Sequence, residues 1–253
     1  MGRPIWNEQF QIDTHEADMN GLARLDALFC CFQEAAGHHA RDLGVGREEL
    51  SRQGCLWVLS RCRMQIDRYP AWGQKVTVQT WPCGVERVFA LREFEFLSDA
   101  GERLGSGISA WLILTQDKHR PMRPGPIMQA VPPTRAAARP EAVTDKQANP
   151  VGLSDLRLFS VRYSDLDVNR HVNNAAYVRW ILDSFDAPRH DRFEIAAIRI
   201  DYISETHLGE PILVKAQTVE AGGSQTILGV RPESDQPVFQ AEIVWRARPS
   251  AHA

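Results

Sequence analysis

Between positions 165 and 174 the chain reads Asp-Leu-Asp-Val-Asn-Arg-His-Val-Asn-Asn. Asp167, Asn169 and His171 stand at i, i+2 and i+4, a spacing that in an extended stretch turns three side chains to one face. Asn173 or Asn174 can then cap the helix that follows, because a short polar side chain accepts from its first free N–H groups. Three convergent polar groups beside a helix start can hold a carbonyl and stabilise negative charge developing on it. Glu205 lies beyond the next strand, where that strand gives way to a loop. Such an acid can activate water.

Other chemistries fit these residues less well. Asp165-x-Asp167-x-Asn169 resembles the start of a calcium loop, yet the sixth position is Arg170 instead of Gly and the twelfth is Ala176 instead of Glu. A metal held by Asp167 and His171 would need more ligands than the spacing offers. An Asx turn with a helix cap accounts for any one of these residues, but poorly for the whole set. There is no Gly-x-Ser-x-Gly elbow. Gly105-Ser-Gly107 sits inside a strand pattern and opens no helix, so it is not a dinucleotide loop. His38 and His39 are adjacent on a helix and point in different directions, as a solvated or half-buried pair. No cofactor motif is present.

The elements that position these residues come in two similar sets. In the first half a strand-like stretch, Ile5 to Ile12, precedes a helix with Leu25, Leu28, Phe32 and Ala35 at helical spacing and a stop near Gly44. Period-two stretches follow around Val58 to Asp67, Val76 to Gln79 and Phe94 to Phe96, with turns at Tyr69-Pro70, Gly73 and Ser98 to Gly101, and a strongly apolar strand, Ile108 to Leu114, closes the unit. In the second half Ser160 to Tyr163 is strand-like. A helix then carries Val178, Ile181, Leu182 and Phe185, and strands follow around Ile198 to Tyr202, Ile212 to Gln217 and Val238 to Trp245. Asp18-Met-Asn20 before the first helix matches Asp167-Val-Asn169 before the second, Gly73 matches Gly209, and Ser98-Asp99 matches Ser234-Asp235. Self-similarity on this scale points to duplication. Each copy would bury one helix stripe and one sheet face against each other.

Residues 121–150 contain seven prolines and a basic, alanine-rich middle from Arg135 to Arg139, which predicts a surface linker. The organisation expected is therefore 1–120, a linker 121–150, and 151–253. The 253 residues suit one large domain or two modest ones, and a net charge of −3 gives no prior for nucleic acid or membrane. No run of about 18 apolar residues exists, and the N-terminus lacks a signal-peptide core. Five cysteines with no Cys-x-x-Cys pair read as reduced, buried thiols, and the compartment expected is the cytoplasm.

Asp165 to Ser184 closely resembles the signature of the plant and bacterial acyl-ACP thioesterases. Trp57 to Gly73, Lys75 to Trp81 and the region Tyr202 to Glu205 are similar to the same family, so the likeness runs from about residue 5 to 245. It implies an α+β tandem (double) hot-dog, each unit an antiparallel sheet wrapped around a central helix. It also implies hydrolysis of fatty acyl-ACP to free fatty acid and holo-ACP, ending chain elongation in fatty acid biosynthesis. The family's catalytic Asp, Asn and His fall on Asp167, Asn169 and His171, and its acid on Glu205. Where the plant pattern next has Cys this chain has Thr206, which favours Glu205 acting through water. The missing plastid extension suggests a bacterial, cytoplasmic enzyme.

The first half has Asp18 and Asn20 but Leu22 in place of His171, so it is expected to have lost the chemistry and to line the acyl pocket. The resemblance implies an acidic carrier protein as partner, and Lys118, Arg120, Arg123, Arg135 and Arg139 are candidates to meet it. A further homodimer stays open, as do an acyl-CoA thioesterase of the same fold, a hot-dog dehydratase and a non-catalytic acyl-binding module.

Overall fold

The period-two stretches become long antiparallel strands and the two apolar-striped segments become helices in the computed structural model, which describes residues 2–129, 131, 141–218 and 223–248. The chain divides into two units, Met1–Asp145 and Lys146–Ala253.

In the N-terminal unit β1 (Trp6–Gln11) leads into α1 (Leu25–Asp42) and the short α2 (Arg47–Arg52). Then come β2 (Cys55–Ile66), β3 (Lys75–Glu86), β4 (Phe89–Ser98) and β5 (Arg103–Thr115). The strands pair antiparallel in the order β1-β3-β4-β5-β2. Alternation in these strands follows from one buried face: β4 is buried at Ala90, Arg92, Phe94, Phe96 and Ser98. The helix α1 buries Leu25, Leu28, Phe29, Phe32 and Ala35. The Phe32 ring stacks on Phe94 at 4.1 Å and Phe96 at 4.4 Å. Gly107 on β5 makes room for it, since a Cβ there would come within 2.5 Å of the ring.

The segment expected as a linker departs from that expectation at both ends. Pro121–Met122 forms a short β6 paired with β5, and a single helical turn α3 (Gly125–Met128) follows. After residues 132–140, which lie outside the described residues together with Arg135 and Arg139, α4 (Glu141–Thr144) returns to the N-terminal unit. Val143 is fully buried there in a cluster with Trp81, Cys83 and Leu91, and Arg61 donates to the Val143, Thr144 and Asp145 carbonyls. A few apolar anchors suffice to dock a proline-rich segment that has no periodicity of its own.

The C-terminal unit repeats the order: β7 (Leu153–Ser160), α5 (Asn174–Asp183), α6 (Ala187–Arg192), β8 (Phe193–Tyr202), β9 (Pro211–Gln217), β10 (Gly223–Arg231) and β11 (Gln236–Ala247). Its strands pair in the order β7-β9-β10-β11-β8. Each unit is an antiparallel sheet with one principal helix, the hot-dog arrangement expected. The first strand of this unit lies earlier than its sequence suggests, because β7 is an edge strand with Leu156 and Leu158 exposed. A strand with no buried face leaves no alternation to read.

Candidate active site

Asp167 builds the loop that carries the candidate residues. Its Oδ1 accepts from the Asn169 N–H at 2.7 Å and the His171 N–H at 3.4 Å, and its Oδ2 accepts from the Asn169 side-chain amide at 3.3 Å. The Asp167 N–H donates to the His171 carbonyl, and Arg170 takes a positive φ of 64°. The segment is thus a tight Asx-type turn, which corrects the extended reading. Asp167, Asn169 and His171 are gathered by hydrogen bonds to one carboxylate, not by strand alternation. Asn173 is the N-cap of α5, accepting from the Ala175 N–H at 2.8 Å.

Asp165, which the sequence left without a role, is buried, accepts from the Arg162 N–H and forms an ion pair with Arg179 of α5. That pair ties the loop to its helix.

The loop after β8 supplies the acid. Glu205 Oε2 lies 3.8 Å from His171 Nε2, within ion-pair reach but beyond hydrogen-bond distance, with side chains 44% and 40% exposed. His207 presents its ring edge-on to His171 at 5.9 Å. The sequence reading missed it, although Glu205-x-His207 is itself an i, i+2 pair. Arg231, also missed, sits at the end of β10 and donates to the Glu205 carbonyl at 2.7 Å and to the Ser204 hydroxyl at 3.0 Å. The structure brings the Glu205 carboxylate within ion-pair reach of the His171 imidazole, and Asp167 holds the Asn169 amide in the loop that carries His171, two residues before the cap of α5.

Thr206 points the other way. It is fully buried, and its hydroxyl meets the Tyr177 hydroxyl at 2.7 Å. Burial pushes the Tyr177 phenol up to about 12, so it stays neutral. All five cysteines are free; Cys30 is exposed, against the expectation of buried thiols, and the others are buried. Burial raises the Cys31, Cys62 and Cys83 thiols to about 12, which makes poor nucleophiles of them. Among the described residues no three of His, Cys, Asp and Glu are grouped to hold a metal, and no helix is long and apolar enough to cross a membrane.

The N-terminal unit carries the same loop without the histidine. Asp18 Oδ1 accepts from the Asn20 and Leu22 N–H groups, and the Asp18 N–H donates to the Leu22 carbonyl. The Asp-centred turn therefore forms whether or not a histidine follows. The pair His38 and His39 also resolves: His38 bonds Glu8 on the surface side. His39 is fully buried, which corrects the solvated reading.

Residues 4–126 match the acyl-ACP thioesterase N-terminal domain, and residues 149–247 match the acyl-ACP thioesterase C-terminal domain. A chloroplastic palmitoyl-acyl carrier protein thioesterase of Gossypium hirsutum is 28% identical over 96% of this chain and 64% of its own length. A chloroplastic oleoyl-acyl carrier protein thioesterase of Arabidopsis thaliana is 26% identical over 97% of this chain and 77% of its own. The crystal structure of an acyl-ACP thioesterase from Bacteroides thetaiotaomicron is 25% identical, with a TM-score of 0.84 over 96% of this chain and 98% of that one. The fold is shared as well with the 12:0-ACP thioesterase from Umbellularia californica, at 23% identity and a TM-score of 0.80 over 96% of this chain and 94% of that one. With both domains matched in order, this chain belongs to the acyl-ACP thioesterase family.

Proposed function

We propose that this protein hydrolyses the thioester between a fatty acyl chain and the phosphopantetheine of acyl carrier protein, releasing fatty acid and the carrier thiol. The observation that carries this reading is the approach of Glu205 to His171 at 3.8 Å beside Asn169, in a chain of this family. Glu205 takes a proton from water as the water oxygen bonds to the carbonyl carbon. Asn169 and His171 donate to the oxyanion that forms, and Asp167 holds both on its carboxylate. The C–S bond then breaks, and the proton collected by Glu205 goes to the departing sulfur.

The N-terminal unit receives the acyl chain in this reading. A small apolar cavity of about 10 Å³ lies there between α1 and the sheet, lined by Phe29, Phe32, Leu59, Phe94 and Trp111 with Ser109, and an acyl chain would have to widen it. Lys118, Arg120 and Arg123 are exposed and offer positive charge to an acidic carrier. The enzyme works in the cytoplasm, where its carrier-borne substrate is made.

Thiol release measured across acyl-ACP and acyl-CoA chain lengths tests the proposal. Release from acyl-ACP supports it, and faster release from acyl-CoA moves the reading to the CoA thioesterase. Water loss from a 3-hydroxyacyl substrate would make it a dehydratase. No release from any substrate would leave a binding module. Glu205→Gln is expected to remove nearly all turnover, and Asn169→Ala to lower it by about 10²–10³. Wild-type turnover in both folded variants would refute the assignment.

A further inference from the structure

The two units hold their paired loops together by different means. In the N-terminal unit the loop before α1 is sewn to the loop after β2 by backbone: the Ala23 N–H donates to the Pro70 carbonyl at 2.8 Å and the Trp72 N–H to the Gly21 carbonyl at 2.9 Å. Leu22 and Ala71 form a bridge between them. In the C-terminal unit the flanking bonds are kept. Val161 exchanges backbone hydrogen bonds with Gly209 and Glu210, as Ile12 does with Gly73 and Gln74. Yet among the described residues no backbone hydrogen bond joins residues 166–172 to residues 203–208. The seam is open there, and His171 and Glu205 face each other across it.

Something else must then set the distance between these two side chains. Thr206 follows Glu205 directly, and Tyr177 lies in the first turns of α5, the helix whose cap is two residues beyond His171. Their hydroxyls meet at 2.7 Å in a fully enclosed position. The Tyr177 ring is itself fixed edge-on against Trp180 at 5.0 Å, Tyr202 at 5.5 Å and Phe239 at 5.5 Å. From the outer side, Arg231 holds the Glu205 carbonyl and the Ser204 hydroxyl and lies 3.4 Å from Glu210. Neighbouring residues of an extended loop point to opposite sides, so anchoring Thr206 inward turns Glu205 outward.

We propose that Thr206 and Tyr177 are positioning residues of the thioesterase site: their buried hydrogen bond replaces the missing backbone seam and holds Glu205 against His171. Thr206 does not act as a nucleophile, since its hydroxyl is enclosed and already partnered. The inference rests on the reading of Glu205 as the base.

The test is steady-state kinetics on acyl-ACP together with thermal unfolding. Thr206→Val keeps the shape and removes the hydroxyl; kcat should fall by about 10-fold to 100-fold with KM changed by no more than about twofold, the pattern of a misplaced catalytic group. Thr206→Ser should restore kcat. The double variant T206V/Y177F removes both partners, so no buried hydroxyl is left unsatisfied and the thermal midpoint should recover. Its kcat should stay low. A double variant that regains both midpoint and kcat would show a bond that only stabilises the core, and the proposal would fall. Thr206→Val with wild-type kcat beside an inactive Glu205→Gln would overturn the positioning role and leave the base standing. Wild-type kcat in Glu205→Gln would overturn both. Should Thr206→Val not fold, Tyr177→Phe carries the same test, because Phe keeps the ring among its aromatic neighbours.

Discussion

The loop before α1 and the loop before α5 share one hydrogen-bond skeleton, together with its Asp and Asn, and differ at the position of the histidine. Asp18 and Asp167 each close a turn on the two N–H groups that follow at i+2 and i+4. The residue before the last of these has positive φ in both, 73° at Gly21 and 64° at Arg170. Where the second copy has His171 the first has Leu22. Counting back from the matched glycines Gly73 and Gly209, Glu205, Thr206 and His207 correspond to Tyr69, Pro70 and Ala71. The skeleton survives without the chemistry, so it is scaffold. The proposed chemistry requires the histidine, the acid, and a seam left open between them.

The comparison can be broken by making one loop imitate the other. His171→Leu gives the second loop the first one's residue; turnover should fall by about 10²–10³, with the fold retained because Leu22 already sits in the same turn. The reverse change, Leu22→His, should create no turnover, since Tyr69 stands where an acid is needed. Thiol release with circular dichroism on both variants decides the point, and a turnover gain in Leu22→His would show that no acid is needed at the position of Tyr69.

A smaller effect separates the buried histidine of the first unit from the exposed one of the second. His39 accepts from Arg92 at Nδ1 and donates from Nε2 to the Arg3 carbonyl, which defines its neutral tautomer. Burial first, and then the Arg92 cation, lower its pKa from 6.5 to about 4. The unfolded chain therefore binds a proton below about pH 6.5 that the folded chain refuses until about pH 4, so stability falls as pH drops through that window. The loss amounts to at most about 3 kcal/mol. Urea unfolding between these pH values should show it, and His39→Gln should flatten the dependence. An equal slope in the variant would place the effect elsewhere.

The smallest effect concerns Arg170. A left-handed conformation costs a non-glycine residue about 1–2 kcal/mol, and glycine returns about 0.5–1 of that through the unfolded state. Arg170→Gly, which copies Gly21, should raise stability by up to about 1 kcal/mol. A loss instead would mean that the Arg170 side chain stabilises the loop.

Much of this molecule could be read directly from its residues. One-sided burial imposes a period of two on β2 to β4 and on β8, β9 and β11, and a helical stripe on α1 and α5, while β5 stands out as a strongly apolar run, so these elements were legible. The repeated Asp-x-Asn before each helix showed the duplication, and Leu22 in place of a histidine set the two copies apart. The edge strand β7 was displaced in the reading because it buries no face, and residues 121–129 and 141–145 dock on the N-terminal unit through isolated contacts that have no period. The composition of the reactive loop was thus a property of the sequence, while its geometry was not. Asp167 folds it into a turn by bonds to backbone N–H groups, a choice that alternation rules do not contain. The approach of Glu205 and His207 to His171, and the anchoring of Thr206 on Tyr177, join residues about thirty positions apart. Only packing of α5 against the strands that follow it brings such residues together, so the tertiary structure alone decided which side chains meet.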